Sequence, residues 1–247
     1  MPNRARDGKG KPWFPFSFHG HELAFVSAPP GAGKVPGAAL WWPAEQALLV
    51  ADLHLEKKGS YFAVRGQMLP PYDSRETLER LADALRQTGA RRVFALGDNF
   101  HDAAGIARLE PHAAGMLAAL TRAVDWVWIA GNHEGGARVL PGGIALEELR
   151  VGGIVLRHEA VAGSMDAEMS GHFHPRLAVN LRGRRIARPC AVRSERRLIL
   201  PAFGALTGGM DAADPAILAA MQPAAAIDAV VPAAGRALTW PLWRAAA

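Results

Sequence analysis

Short apolar runs that stop at polar or charged residues recur along the first half of the chain. Ala47 to Ala51, Arg92 to Leu96 and Asp125 to Ala130 each read as a short buried strand. Between the first two, Leu78, Leu81, Ala82 and Leu85 fall at helical spacing. Asp73-Ser74-Arg75-Glu76 precedes them in the form of an N-cap with a glutamate three residues on, and Gly89 closes the helix. Ile106 to Arg122 predicts a second helix, weakened by Pro111 and Gly115. The order β-α-β-α-β favours parallel pairing in an α/β sheet. Upstream, Phe14 to Val26 predicts a hairpin broken at Gly20, and Ala38 to Trp42 a strand that turns at Pro43 and Glu45.

The second half has a different rhythm. Gly153 to Arg157, Ala167 to Ser170, Leu177 to Leu181, Ala187 to Arg193 and Arg197 to Leu200 predict short strands with tight turns, mostly antiparallel. Ile217 to Met221 predicts a short helix and Ile227 to Val231 a closing strand. Residues 1–13 read as a flexible basic tail and 14–247 as a single domain, with two packed sheets and helices outside.

Half of the 247 residues are hydrophobic, which places the chain among globular proteins. No apolar run approaches the roughly 20 residues of a membrane helix. The basic stretch Arg4 to Lys11 is not followed by a hydrophobic region, so the expectation is a soluble, cytoplasmic protein. The one cysteine, Cys190, rules out an internal disulfide and a thiolate cluster, so a metal site here must draw on Asp, Asn and His. The net charge is +5, with Arg182, Arg184, Arg185, Arg188, Arg193, Arg196 and Arg197 crowded together. Such a cluster serves either as a phosphate-backbone contact or as a solvated strand face. Pro29-Pro30-Gly31-Ala32-Gly33-Lys34 is not a phosphate loop, because position 28 is Ala and Val35 follows the lysine.

The chemistry lies just past the strands. Asp52 and His54 are two apart, and on a strand they would face the same way. Asp98, Asn132, His158, His172 and His174 follow short apolar runs in the same manner. In α/β sheets, sites gather at the carboxyl ends of strands, so residues spread over more than a hundred positions can converge. Carboxylate and imidazole donors suit manganese, iron, zinc or nickel, and a carboxylate such as Asp98 can bridge two ions.

Asp52-x-His54, Gly97-Asp98, Gly131-Asn132-His133-Glu134, His158 and Gly171-His172-x-His174 together resemble, in order, the motifs of the calcineurin-like metallophosphoesterases. The resemblance implies a four-layer sandwich, with two mixed sheets packed face to face and helices outside. It implies two divalent ions, of which a narrower likeness within the family makes manganese the foremost candidate. Asp52, His54 and His174 would hold one, Asn132, His158 and His172 the other, and Asp98 would bridge. His133 would stand at the leaving oxygen, with Asn132 also in the catalytic group. Arg157-His158-Glu159 replaces the family's more usual Gly-His-Asp, and His101-Asp102 carries a shifted acid. A narrower likeness, in Ala51 to Lys57, Gly66 to Asp73, Gly97 to Asp102, Gly171 to Pro175 and Leu200 to Gly204, points to bacterial DNA ligase-associated metallophosphoesterases. That likeness alone implies DNA as substrate and a DNA ligase, helicase or exonuclease as partner.

The expected activity is a DNA endonuclease linked to repair, in which a metal-bridging hydroxide attacks phosphorus in line. The rivals are a small-molecule or nucleotide phosphodiesterase or phosphatase, and a non-catalytic scaffold. His101 and Asp102 are either partners that orient ligand histidines or loop caps. Lys57, Lys58, Tyr61 and Arg65 either grip a nucleic-acid backbone or form a solvated loop. His19, His21 and His112, outside every motif, are read as surface or packing residues, and Trp41-Trp42 as core or interface.

Overall fold

The computed structural model describes residues 13–26, 38–57, 72–102, 104–132, 140–181, 183–233 and 235–246. One seven-stranded sheet runs, in spatial order, β1 (Trp13–Phe18), β2 (His21–Val26), β3 (Leu40–Trp42), β4 (Ala47–Val50), β5 (Arg92–Leu96), β6 (Asp125–Ile129) and β7 (Ile144–Leu146). From β4 to β7 the pairing is parallel, as the β-α-β-α-β order predicts. A second seven-stranded sheet joins β8 (Leu149–Val151), β9 (Ile154–Leu156), β10 (Ala167–Ser170), β13 (Ala191–Arg193), β14 (Arg197–Ile199), β16 (Ala226–Ala233) and β17 (Arg236–Arg244). Its centre departs from the antiparallel expectation, because β10 lies parallel to both β9 and β14. A third sheet holds β11 (Pro175–Leu181), β12 (Arg184–Pro189) and β15 (Met210–Asp211).

Strand alternation sorts the apolar side chains into layers. Leu49 of β4, Phe94 and Leu96 of β5 and Val127 and Ile129 of β6 face Leu156, Met169 and Leu198 of the second sheet. Their neighbours Leu48, Val50, Val93, Ala95, Trp126 and Trp128 face the other way, onto Leu78 and Leu81 of α1 (Tyr72–Thr88) and Leu117 of α3 (Pro111–Ala123). Each strand is therefore covered on both faces, which is why these runs are continuously apolar. The far side of the second sheet is closed by α4 (Pro215–Ala220) and by the three-stranded sheet, through Ile217, Met221 and Leu177. The helix expected outside this sheet is α4, and the three-stranded sheet lies on the same side.

Several boundaries differ from expectation for identifiable reasons. The expected Ile106–Arg122 helix is two, α2 (Gly105–Arg108) and α3. Pro111 has no N–H to donate and begins α3, where the Glu110 carboxylate accepts from the His112 and Ala113 amides. Asp73 is no N-cap, because the helix already runs at Tyr72. Asp73 is buried in the first turn, and Ser74 bonds instead to Glu56. The expected Ala187–Arg193 strand splits at Cys190 into β12 and β13, which belong to different sheets. Strand β17 escapes a pattern-based reading because Pro241 sits inside it. On an edge, paired only with β16, a missing amide costs no ladder bond.

Cys190 is fully buried at this split, and burial pushes its thiol pKa up to about 12. The thiolate is the reactive form. The native protein should therefore give no reaction with Ellman's reagent at neutral pH and one equivalent in denaturant. Rapid labelling of the native chain would contradict this packing.

Candidate metal centre

The strands deliver the site, but the ligand candidates stand beyond them. β4 ends at Val50 and β10 at Ser170. Asp52 and His54 therefore do not share a face through strand alternation, and neither do His172 and His174. Asp52, His54, Asp98, His172 and His174 all have left-handed backbone, with φ of 54°, 44°, 46°, 72° and 49°. Each such non-glycine residue costs about 1 kcal/mol or more, and this kind of strain clusters at functional sites. The loops hold one another in this shape. The Asp52, His54 and Leu55 amides donate to the Gly97, Asp98 and Asn99 carbonyls, and the Gly204 amide donates to the Asp52 carbonyl. Two glycines are required by close approach. A Cβ at Gly131 would lie 2.0 Å from the Asp98 amide nitrogen, and one at Gly97 would lie 2.3 Å from His158 Nδ1.

Two donor trios result. Asp52, His54 and His174 present ligand atoms within 4.8 Å of one another, as do Asp98, His158 and His172. His54 Nε2 and His174 Nε2 are 3.2 Å apart, and His174 Nε2 lies 3.4 Å from Asp52 Oδ1. In the second trio His158 Nε2 is 3.2 Å from His172 Nδ1 and 3.5 Å from Asp98 Oδ2. Asp98 Oδ2 also lies 3.9 Å from His54 Nε2, so this carboxylate stands between the trios. Asn132, exposed at the rim, places its amide 3.3 Å from His172 Nδ1.

The second contacts fix these rings. His158 Nδ1 donates to the Leu96 carbonyl, leaving Nε2 as the free lone pair. His172 Nε2 lies 3.7 Å from the Glu159 carboxylate, while its Nδ1 turns inward. Both Asp52 oxygens accept from the His172 amide. Burial opposes a charge on His158, but the Asp98 hydrogen bond, the Asp52 and Asp98 charges and the Leu96 carbonyl outweigh it, and its pKa is raised. A buried pocket of converging lone pairs and carboxylates that favours positive charge fits divalent ions. Oxygen and imidazole donors without a thiolate suit manganese, iron, zinc or nickel.

The other candidates divide. The His101 ring stands 5.9 Å from the His54 ring, edge on. Asp102 accepts from the Ala104 amide and pairs with Arg108, the role of a loop cap at α2. Lys57 lines a small recess with His54, Thr77 and Thr207. His133, Glu134, Lys58, Tyr61 and Arg65 lie outside the described residues, as do the Pro29–Lys34 loop and residues 1–12. His21 packs edge on against Trp42, and Trp41 and Trp42 are core. Sequence reasoning missed two braces. Buried Asn99 donates to the Ile129 carbonyl, tying the Asp98 loop to β6, and Glu56 with Ser74 ties the His54 loop to α1. Gly97-Asp98-Asn99 was visible as a motif, but nothing in it marked the third residue as structural.

Two packed mixed sheets that bring a pair of Asp/His clusters to one end of their strands have the layout of a metal-dependent phosphoesterase. The family model of the calcineurin-like phosphoesterases matches residues 46–176, which includes every one of these donors. The chain belongs to that family. A crystal structure of the Pseudomonas putida nuclease MPE superposes with a TM-score of 0.65 at 30% sequence identity, covering 93% of this chain and 100% of that one. No curated protein matches the chain.

Proposed function

We propose that this metal-dependent phosphoesterase is a phosphodiesterase acting on DNA, in line with the nuclease it resembles. The observation that carries the reading is the pair of donor trios with Asp98 between them. Asp52, His54 and His174 would hold the first ion, and Asn132, through its amide oxygen, with His158 and His172 the second; Asp98 would be shared between them. When bound, two such ions neutralise charge on the phosphoryl group and supply a nucleophile at neutral pH. The Leu96 carbonyl and Glu159 keep the His158 and His172 rings turned so that one lone pair of each faces inward. The resemblance gives His133 the proton for the leaving oxygen. We extend this to a role in DNA repair beside a ligase, helicase or exonuclease, with manganese as the metal, and the support for that extension is the sequence likeness alone.

The test is a comparison of substrates for the manganese-loaded protein. Bis(p-nitrophenyl) phosphate should turn over faster than p-nitrophenyl phosphate, and supercoiled plasmid should be nicked. Faster turnover of the monoester with intact plasmid would make it a phosphatase. Diester turnover without nicking would make it a small-molecule phosphodiesterase.

A further inference from the structure

Positive charge is concentrated in one folded segment of the second half. Pro175 to Pro189 holds five arginines and no acidic residue. Without these five, the chain has 23 Lys and Arg against 23 Asp and Glu. This segment is the β11–β12 hairpin, and it starts at the metal centre, because His174 immediately precedes β11. β15 pairs with β11 only at Pro175 and Arg176. From Leu177 onward, among the described residues, the hairpin is a two-stranded arm.

The arm is built to present charge. Leu177 packs into the core beneath it. Arg176 is a brace, donating across the hairpin to the Ala187 carbonyl. Arg184, Arg185 and Arg188 are exposed. Only Arg185 has an acid close by, Asp211 at 3.7 Å, among the described residues. Arg188 lies opposite Leu177 and Arg184 opposite Leu181. At roughly 3.3 Å per residue these positions stand about 10 and 23 Å along the strand from His174. Arg184 and Arg188 share one face of the arm, about 13 Å apart, and Arg185 stands on the other face near the turn. Guanidinium groups are thus offered to phosphates on both sides of the arm, each able to hold one in a forked geometry. A merely solvated strand would gain nothing from excluding every acid over its length, and it would suffer its own repulsion.

We propose that the β11–β12 hairpin is a nucleic-acid-binding arm. Arg184, Arg185 and Arg188 hold the phosphate backbone flanking the phosphodiester at the metal centre. This rests on the DNA-directed reading above and adds the surface that would carry it. The arm reads charge and not bases, so it raises affinity without selecting sequence.

The experiment uses the full chain with Arg184, Arg185 and Arg188 all changed to Gln, beside a second variant with all three changed to Lys. Binding of a short fluorescein-labelled DNA duplex is followed by anisotropy across a salt series without added metal. Turnover of bis(p-nitrophenyl) phosphate and of DNA is followed with manganese. The Gln variant should keep wild-type turnover of the small diester, which shows an intact site. Its kcat/KM on DNA should fall about tenfold or more, and the slope of log affinity against log salt should shrink by about 2 to 3, at about 0.9 for each phosphate no longer neutralised. The Lys variant should recover most of the affinity. A Gln variant that binds and cleaves DNA like the wild type overturns the arm while leaving the nuclease reading intact. A wild-type protein that turns over the small diester yet neither binds nor cleaves DNA overturns both.

Discussion

Asp98→Asn lowers the kcat of bis(p-nitrophenyl) phosphate hydrolysis by about a thousandfold or more, with the fold unchanged. Asp98 Oδ2 lies within 4 Å of the Nε2 atoms of both His54 and His158, one in each trio, whereas Asp52 meets His158 only at the Nδ1 that is already engaged with the Leu96 carbonyl. Asparagine has the same shape but no charge, and it offers one acceptor oxygen in place of two. The change therefore weakens both sites at once. Charge stabilisation by bound metal is worth several kcal/mol, and each 1.36 kcal/mol is tenfold in rate. The backbone hydrogen bonds of the Asp98 loop, from His54 and Leu55, do not involve this carboxylate. An asparagine oxygen at this position can still accept from His158, so thermal unfolding of the metal-free variant should stay close to wild type. Wild-type turnover would remove Asp98 from its central place.

Arg197→Met should destabilise the protein by about 3 kcal/mol, the low end of the range for removing one partner of a buried ion pair, because Arg157 stays 3.4 Å from Glu168. Arg197 and Glu168 are both 0% exposed and pair at 2.9 Å. Arg197 also donates to the Val161 and Ser164 carbonyls, and so fastens the segment that follows His158 to the second sheet. Burial already raises the Glu168 pKa, against the lowering pull of Arg157 and Arg197. Without Arg197 it rises further. A carboxyl whose folded pKa lies above its unfolded value costs nothing while both states are protonated. The cost grows as pH climbs past the unfolded value. The variant's deficit in urea unfolding should therefore be larger at neutral pH than in acid. Adding Glu168→Leu should recover much of the stability, because an apolar pair of similar volume replaces a buried carboxylate left with Arg157 as its one charged partner. A single variant within about 0.5 kcal/mol of wild type, the range of ordinary surface changes, would sink the account.

The sequence disclosed the donors better than it disclosed the reason they meet. Asp52, His54, Asp98, His158, His172 and His174 were all nameable from short motifs in order, and the structure brings them into two trios. Strand alternation is not what aligns them, since Asp52, His54, His172 and His174 stand in left-handed loops past the strand ends. Such conformations follow from the neighbouring loops' hydrogen bonds and from close approach at Gly97 and Gly131, which are long-range facts. The parallel half of the fold was legible because helices and apolar strands alternate with clear periods. The second half was less so. Strand β17 hides behind Pro241, and the three-residue strands β7 and β8 carry too little pattern to register. The centre strand β10 gives no local sign of parallel pairing, because its neighbours β9 and β14 are fixed by topology.

The central claim is that the two trios form a dinuclear metal centre. Metal-free protein should be titrated with manganese by calorimetry, with the stoichiometry checked by elemental analysis after removal of excess ion. The account predicts about two ions per chain for the wild type and fewer for Asp98→Asn. One ion or none in the wild type would contradict it.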